Sequence, residues 1–258
     1  MLVKLIKILA ILLGLIAYPT LANQHATNIQ IVMQPAVSQA DKESRALIKR
    51  SNVNQHFSQL VAQLFNFRRA VTLEYGINDG PLYDPDAHGI YIPYAFVAET
   101  LEFFANNNYQ KRYGISAEDA AIDTLLHTLL HELGHAYITD QQIPILGKEE
   151  DAADNLATIV LLNYVELGDE VAISAADMFA FESEDKPNFY ELSEYINEHS
   201  FDLQRYFSTL CLVYGSNPKR YPKLLNEIDT SYLAERQEFC IHQYQQTNQS
   251  WHTYLKQP

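Results

Sequence analysis

The chain has 258 residues, enough for one sizeable core, and carries 32 acidic against 18 basic side chains for a formal charge of −14 at pH 7. That balance repels a nucleic-acid backbone, and the short basic pairs Arg68-Arg69 and Lys219-Arg220 do not offset it locally. A nucleic-acid partner is excluded on this ground.

At the N-terminus, Lys4 and Lys7 precede an almost wholly apolar run from Ile8 to Tyr18, and Thr20-Leu21-Ala22 offers small residues where a signal peptidase reads. The run is short for a bilayer span and polar Asn23-Gln24-His25 follow it. Residues 1–22 are therefore read as a cleaved signal peptide, with an uncleaved membrane anchor as the alternative. The expected setting is secreted or periplasmic, with no stable membrane span after cleavage. Residues 23–258 read as a single domain, and loss of the two lysines takes its charge to about −16.

A short strand is predicted at 28–33, broken by Pro35, with a helical turn over 41–49. Phe57, Leu60, Val61, Leu64 and Phe65 recur at helical spacing, Ala70 to Tyr75 reads as a strand, and Asn78-Asp79-Gly80-Pro81 and Asp84-Pro85-Asp86 as turns. Gly89 to Ile92 is a second strand, and Phe96, Val97, Leu101 and Phe104 mark a helix. Ser116 is an N-cap candidate with Asp119 three residues on, opening a long helix to about Ile138. Its apolar positions surround the axis, which predicts a central helix. Further helices are predicted over 150–167, 171–181 and 203–214, with a polar break at 182–188. Scattered aromatics out to Trp251 and Leu255 imply that the C-terminus packs on the body. The two cysteines, Cys211 and Cys240, form either a disulfide across the C-terminal third or a pair of buried thiols.

The central helix carries His131-Glu132-Leu133-Gly134-His135. Two imidazoles one turn apart share a face and can grip one Zn²⁺, while Glu132 stands beside the first as a base for a water activated by the metal. Gly134 keeps bulk off the helix between them. A catalytic zinc site takes three protein ligands and leaves a position for water, so a third is needed. It is expected from Glu149-Glu150-Asp151 at the start of the next helix. Glu150 is preferred because Asp154 lies one turn beyond it, placed to bond the outer nitrogen of a ligating histidine. Glu149 has no acid at the same offset, although Asp151 keeps another geometry open. His199 is a candidate donor to a transition-state oxyanion, with Arg205 and Tyr137 as rivals.

Together, His131-Glu132-Leu133-Gly134-His135, Glu150 and Asp154 resemble the glutamate-zincin metallopeptidases. The resemblance implies zinc on His131, His135 and Glu150, Glu132 as general base and Asp154 in support. The segment between the two helices is shorter than in thermolysin-type enzymes, so their substrate pocket does not carry over. Leu130 to Ala136, Leu146 to Asp154, His199 to Arg205 and Cys211 to Gly215 resemble the DUF4344 metallopeptidase family more closely. The implied fold is α+β, helix-rich and zincin-like, with a small sheet beside the active-site helix and a peptide or protein as substrate. Gly89 to Ile92 reads either as a sheet edge that pairs with extended peptide or as an ordinary core strand. The alternatives to a peptidase are a non-catalytic, zinc-stabilised secreted interaction protein and a zinc amidase acting on a non-protein amide.

Overall fold

The computed structural model describes residues 29–184 and 190–256, so the predicted leader at 1–22 lies outside it, as does part of the polar break at 182–188. The described residues begin with β1 (Ile29–Met33), α1 (Gln39–Arg50), α2 (Val53–Leu64) and β2 (Val71–Tyr75). It continues through β3 (Leu82–Asp84), β4 (Gly89–Ile92), α3 (Tyr94–Asn106) and a short α4 (Tyr109–Tyr113). Then come α5 (Ala117–Gln141), α6 (Glu149–Tyr164), α7 (Gly168–Glu184), a 3-10 turn at Leu192–Ile196, α8 (Asp202–Ser216) and α9 (Thr230–His252). The architecture is α+β and mainly helical, with one small mixed sheet. Among the described residues no helix is long and apolar enough to cross a membrane.

The strands lie in the order β1-β2-β4-β3. β1, β2 and β4 are parallel, and β3 runs antiparallel to β4 with Tyr83 opposite Ile90. Gly89–Ile92 is thus an interior strand rather than an edge. The edge beside it is β3, a three-residue strand in a stretch that the sequence reads only as turns.

α5 is central because it is apolar on every side: Ala121, Leu125, Leu129, Leu130, Leu133 and Ala136 are all fully buried. Ser116 caps it as expected, its Oγ accepting from the Asp119 backbone N–H at 3.0 Å. The helix packs on α3, α6 and α7 and meets the sheet through β3 and β4. It ends at Gln142, whose φ of 55° turns the chain back toward α6. The approach of α6 is close. A Cβ on Gly134 would lie 3.2 Å from both Cα and Cβ of Ala153, so the two helices touch at the residue between the two histidines. Gly134 thereby sets how near the acidic start of α6 comes to the imidazoles.

The C-terminal aromatics belong to α9, a 23-residue helix. It packs on α8 through the Cys211–Cys240 disulfide, and at Gly215 a Cβ would stand 2.1 Å from the Cys240 carbonyl oxygen. The cysteines are therefore paired rather than two buried thiols.

Between α5 and α7, Asp123 is mostly buried and accepts a hydrogen bond from Ser174 Oγ at 3.0 Å. Burial pushes its carboxyl up to about 6, against which the Ser174 bond acts, while nearby Asp119 and Glu170 raise it further. Because the folded value lies above the ordinary 3.8, the folded state holds the proton more tightly. Stability from this group falls as pH rises through that interval and stays lower above it. Asp123→Asn, which still accepts from Ser174, is expected to stabilise the protein by about 2 kcal/mol at pH 7.5. The gain should shrink at pH 4.5. Paired thermal melts check it, and an equal gain at both values would trace the effect to packing instead.

Candidate metal centre

His131 and His135 project from one face of α5, and their Nε2 atoms are 3.2 Å apart. α6 enters this face with its first turn acidic, as suits the positive end of a helix dipole. Glu150 Oε2 lies 3.1 Å from His131 Nε2 and 3.4 Å from His135 Nε2. Glu149 takes the other side, its Oε1 2.9 Å from His135 Nδ1. The helix rotation thus brings Glu150 to the facing nitrogens and leaves Glu149 at the outer one.

The three edges, 3.1, 3.2 and 3.4 Å, suit a metal. Ligands at ~2.0–2.1 Å in a tetrahedron are separated by about 3.3 Å, and two imidazole nitrogens with one carboxylate oxygen form a donor set for zinc. These residues can hold a metal ion.

Asp154, one turn after Glu150, bonds His131 Nδ1 through Oδ1 at 2.7 Å. Arg205 from α8 grips the same carboxylate twice, Nε to Oδ2 at 2.7 Å and Nη2 to Oδ1 at 2.8 Å. Its guanidinium carbon also sits 4.0 Å from the centre of the Phe179 ring. Burial alone would push the Asp154 carboxyl up. The Arg205 and His131 charges outweigh it and hold Asp154 well below the carboxylate range. Fixing an imidazole from its outer nitrogen sets ring orientation and tautomer. Arg205→Met is expected to weaken metal binding ~10–100-fold, since Asp154 loses both donors that aim it. Competition against a chromogenic chelator measures this, with circular dichroism as the control for folding. Unchanged affinity would mean that Asp154 aims His131 unaided.

Glu132 is 6 % exposed and lines a cavity of about 430 Å³ beside His131. Burial pushes its carboxyl up, against the opposing pull of His131 and His135. His199 reaches the site from the loop before α8, its Nε2 3.0 Å from Glu150 Oε2, and it lines the same cavity. Lys148 Nζ donates to the His199 carbonyl at 3.0 Å and ties that loop to the start of α6. Desolvation opposes the charged form of Glu150, but the His131, His135 and His199 imidazoles hold its carboxyl far below the ordinary value.

The structure therefore brings together His131, Glu132, His135, Glu150, Asp154 and His199. It does not bring Tyr137, whose hydroxyl donates to the Tyr254 carbonyl at 2.6 Å in the core. Arg205 is present, but as the clamp on Asp154. Sequence reading missed that pairing and the Glu149–His135 contact, because neither a 51-residue separation nor a helix rotation leaves a periodic signal.

The sequence pattern of the family DUF4344, whose description is "Putative metallopeptidase", matches residues 33–255. No curated protein and no solved structure matches the chain.

Proposed function

The chain belongs to the DUF4344 family, and from that premise and the triangle of ligand atoms we propose that it is a zinc-dependent endopeptidase of zincin-like fold. The observation that carries the reading is the set of near-tetrahedral edges between His131 Nε2, His135 Nε2 and Glu150 Oε2, with Glu132 beside them. A structural zinc site has no use for a buried carboxylate next to its first ligand and closes with a fourth protein ligand.

Zinc held by His131, His135 and Glu150 supplies Lewis acidity that polarises a peptide carbonyl and acidifies water. The remaining work falls to the chain. Glu132 takes the proton of the attacking water, and burial strengthens it as a base. The same carboxyl then carries that proton toward the leaving amine. His199, at the open rim, donates a hydrogen bond to the developing oxyanion. Asp154 and Arg205 keep His131 in one orientation. The substrate is an unfolded protein or peptide, and the site of action is outside the cytosol. The signal-like residues 1–22 support export, and so does the Cys211–Cys240 disulfide, a bond that persists in oxidising compartments.

The test is digestion of an unfolded protein by the zinc-loaded chain and by its Glu132→Gln variant at equal zinc content. Fragments from the first and none from the second support the reading. Equal cutting by both removes it. Release of a cell-wall amide with protein left intact would place the site among amidases, and zinc binding without either activity would leave a non-catalytic interaction protein.

A further inference from the structure

α8 carries two residues that other helices hold on to. Arg205, in its first turn, grips Asp154 of α6, and Cys211 is bonded to Cys240 of α9. They are less than two helical turns apart, about 9 Å along the axis. Both line one cavity of about 240 Å³ where α6, α8 and α9 meet, with Asp154 and Asn155 on the α6 side and Phe239 and Gln243 on the α9 side. Interiors packed to ordinary density leave few such spaces, so between the clamp and the bridge α8 is not wedged against its neighbours.

On this side of α8 the tie to α9 is covalent, and the close approach of Gly215 to the Cys240 carbonyl sets the two backbones against each other at the bridge. The clamp, in turn, is sensitive to small movements. Its bonds are 2.7 and 2.8 Å long, so a shift of about 1 Å takes them out of hydrogen-bond range. A displaced guanidinium also has other partners, because the Glu182 and Glu150 carboxylates already act on its charge.

Resting on the zinc reading above, we propose that the Cys211–Cys240 bond positions the Arg205 clamp, so that a dithiol which opens the bond weakens zinc binding in a chain that stays folded. Both cysteines line a groove of about 450 Å³ with Leu203, Phe207, Ile228 and Phe239, which gives a reductant a path to the bond. One thiolate of the dithiol attacks a bridge sulfur, forming a mixed disulfide and expelling the other cysteine as a thiolate. The second thiolate then displaces the remaining cysteine. Two electrons pass to the bridge, the cysteines take up two protons, and the dithiol leaves as a disulfide. α8, released from α9, shifts into the cavity, and Arg205 lets go of Asp154. His131 is then aimed by a carboxylate that nothing aims in turn.

The experiment is a zinc titration against a chromogenic chelator, run on the oxidised protein and on the same protein after dithiothreitol, with the reductant removed under argon. A Cys211→Ala, Cys240→Ala variant, which has no thiols to bind metal, is the third sample. Both opened forms are expected to bind zinc ~10–100-fold more weakly than the oxidised one, the range for partners that orient a ligand, with unchanged helical circular dichroism. In an Arg205→Met background, opening the bond should lower affinity by no more than about 2-fold, because the clamp is already gone. Equal affinity in the oxidised and opened forms overturns the proposal. So does an undiminished loss in the Arg205→Met background, which would route the effect elsewhere. Loss of helix on opening would make the bond a staple for the whole fold, and a bond that dithiothreitol cuts only in denaturant would lie out of reach; either result also overturns it. Failure of the zinc reading looks different, since the oxidised protein itself then takes up no zinc.

Discussion

Glu132→Gln is expected to lower kcat/KM on an unfolded protein by about 10³-fold, within the range attributed to a positioned general base, while metal content stays at that of the unmodified chain. The two effects separate because Glu132 lies beside the ligand set rather than in it. His131, His135 and Glu150 form the triangle, and Glu132 faces the adjoining cavity. Glutamine keeps the size and one acceptor oxygen but cannot take up a proton at neutral pH. The substitution also replaces a desolvated carboxylate at a site 6 % exposed. The variant should therefore melt no lower than the parent, since a buried charge costs more than a buried amide. Steady-state kinetics, metal analysis and a thermal melt on one preparation check all three. A variant that loses metal and activity together would place Glu132 among the ligands instead.

The parts of this molecule that local pattern encodes are legible in the sequence, and those made by distant elements meeting are not. α5 is readable from its cap at Ser116 and its apolar residues, and the two histidines follow from a four-residue offset on that helix. α9 is not readable. Its buried stripe is Cys240, Thr247 and Trp251, at helical spacing but only partly apolar, while Tyr232 and Phe239 are exposed and scramble the pattern. β3 is three residues long and exists because β4 lies alongside it, so no alternation within the strand announces it. The same division runs through the site. The offset from Glu150 to Asp154 is in the sequence, but the rotation that turns Glu150 inward depends on the contact of Gly134 with Ala153. Arg205 reaches Asp154 only because α8 packs on α6.

That rotation makes the neighbouring glutamates unequal, and substituting each reads it out. Glu150→Ala removes the one oxygen shared by both facing imidazoles and leaves two ligands on a stiff helix. Metal affinity is expected to fall by more than ~100-fold, beyond the 10–100-fold typical of partners that only orient a ligand. Glu149→Ala removes a carboxylate whose side chain is 46 % exposed and which touches only the outer nitrogen of His135. Water can replace that contact, so the expected loss is about 10-fold or less. Plasma mass spectrometry after gel filtration, with a chelator competition on each variant, measures the contrast. Depletion in the Glu149 variant with retention in the Glu150 variant would reverse the ligand assignment and require α6 to turn when metal binds. The close packing at Gly134 resists that turn, because a helix whose Ala153 already touches the bare backbone of α5 cannot rotate without driving its larger neighbours into the same gap.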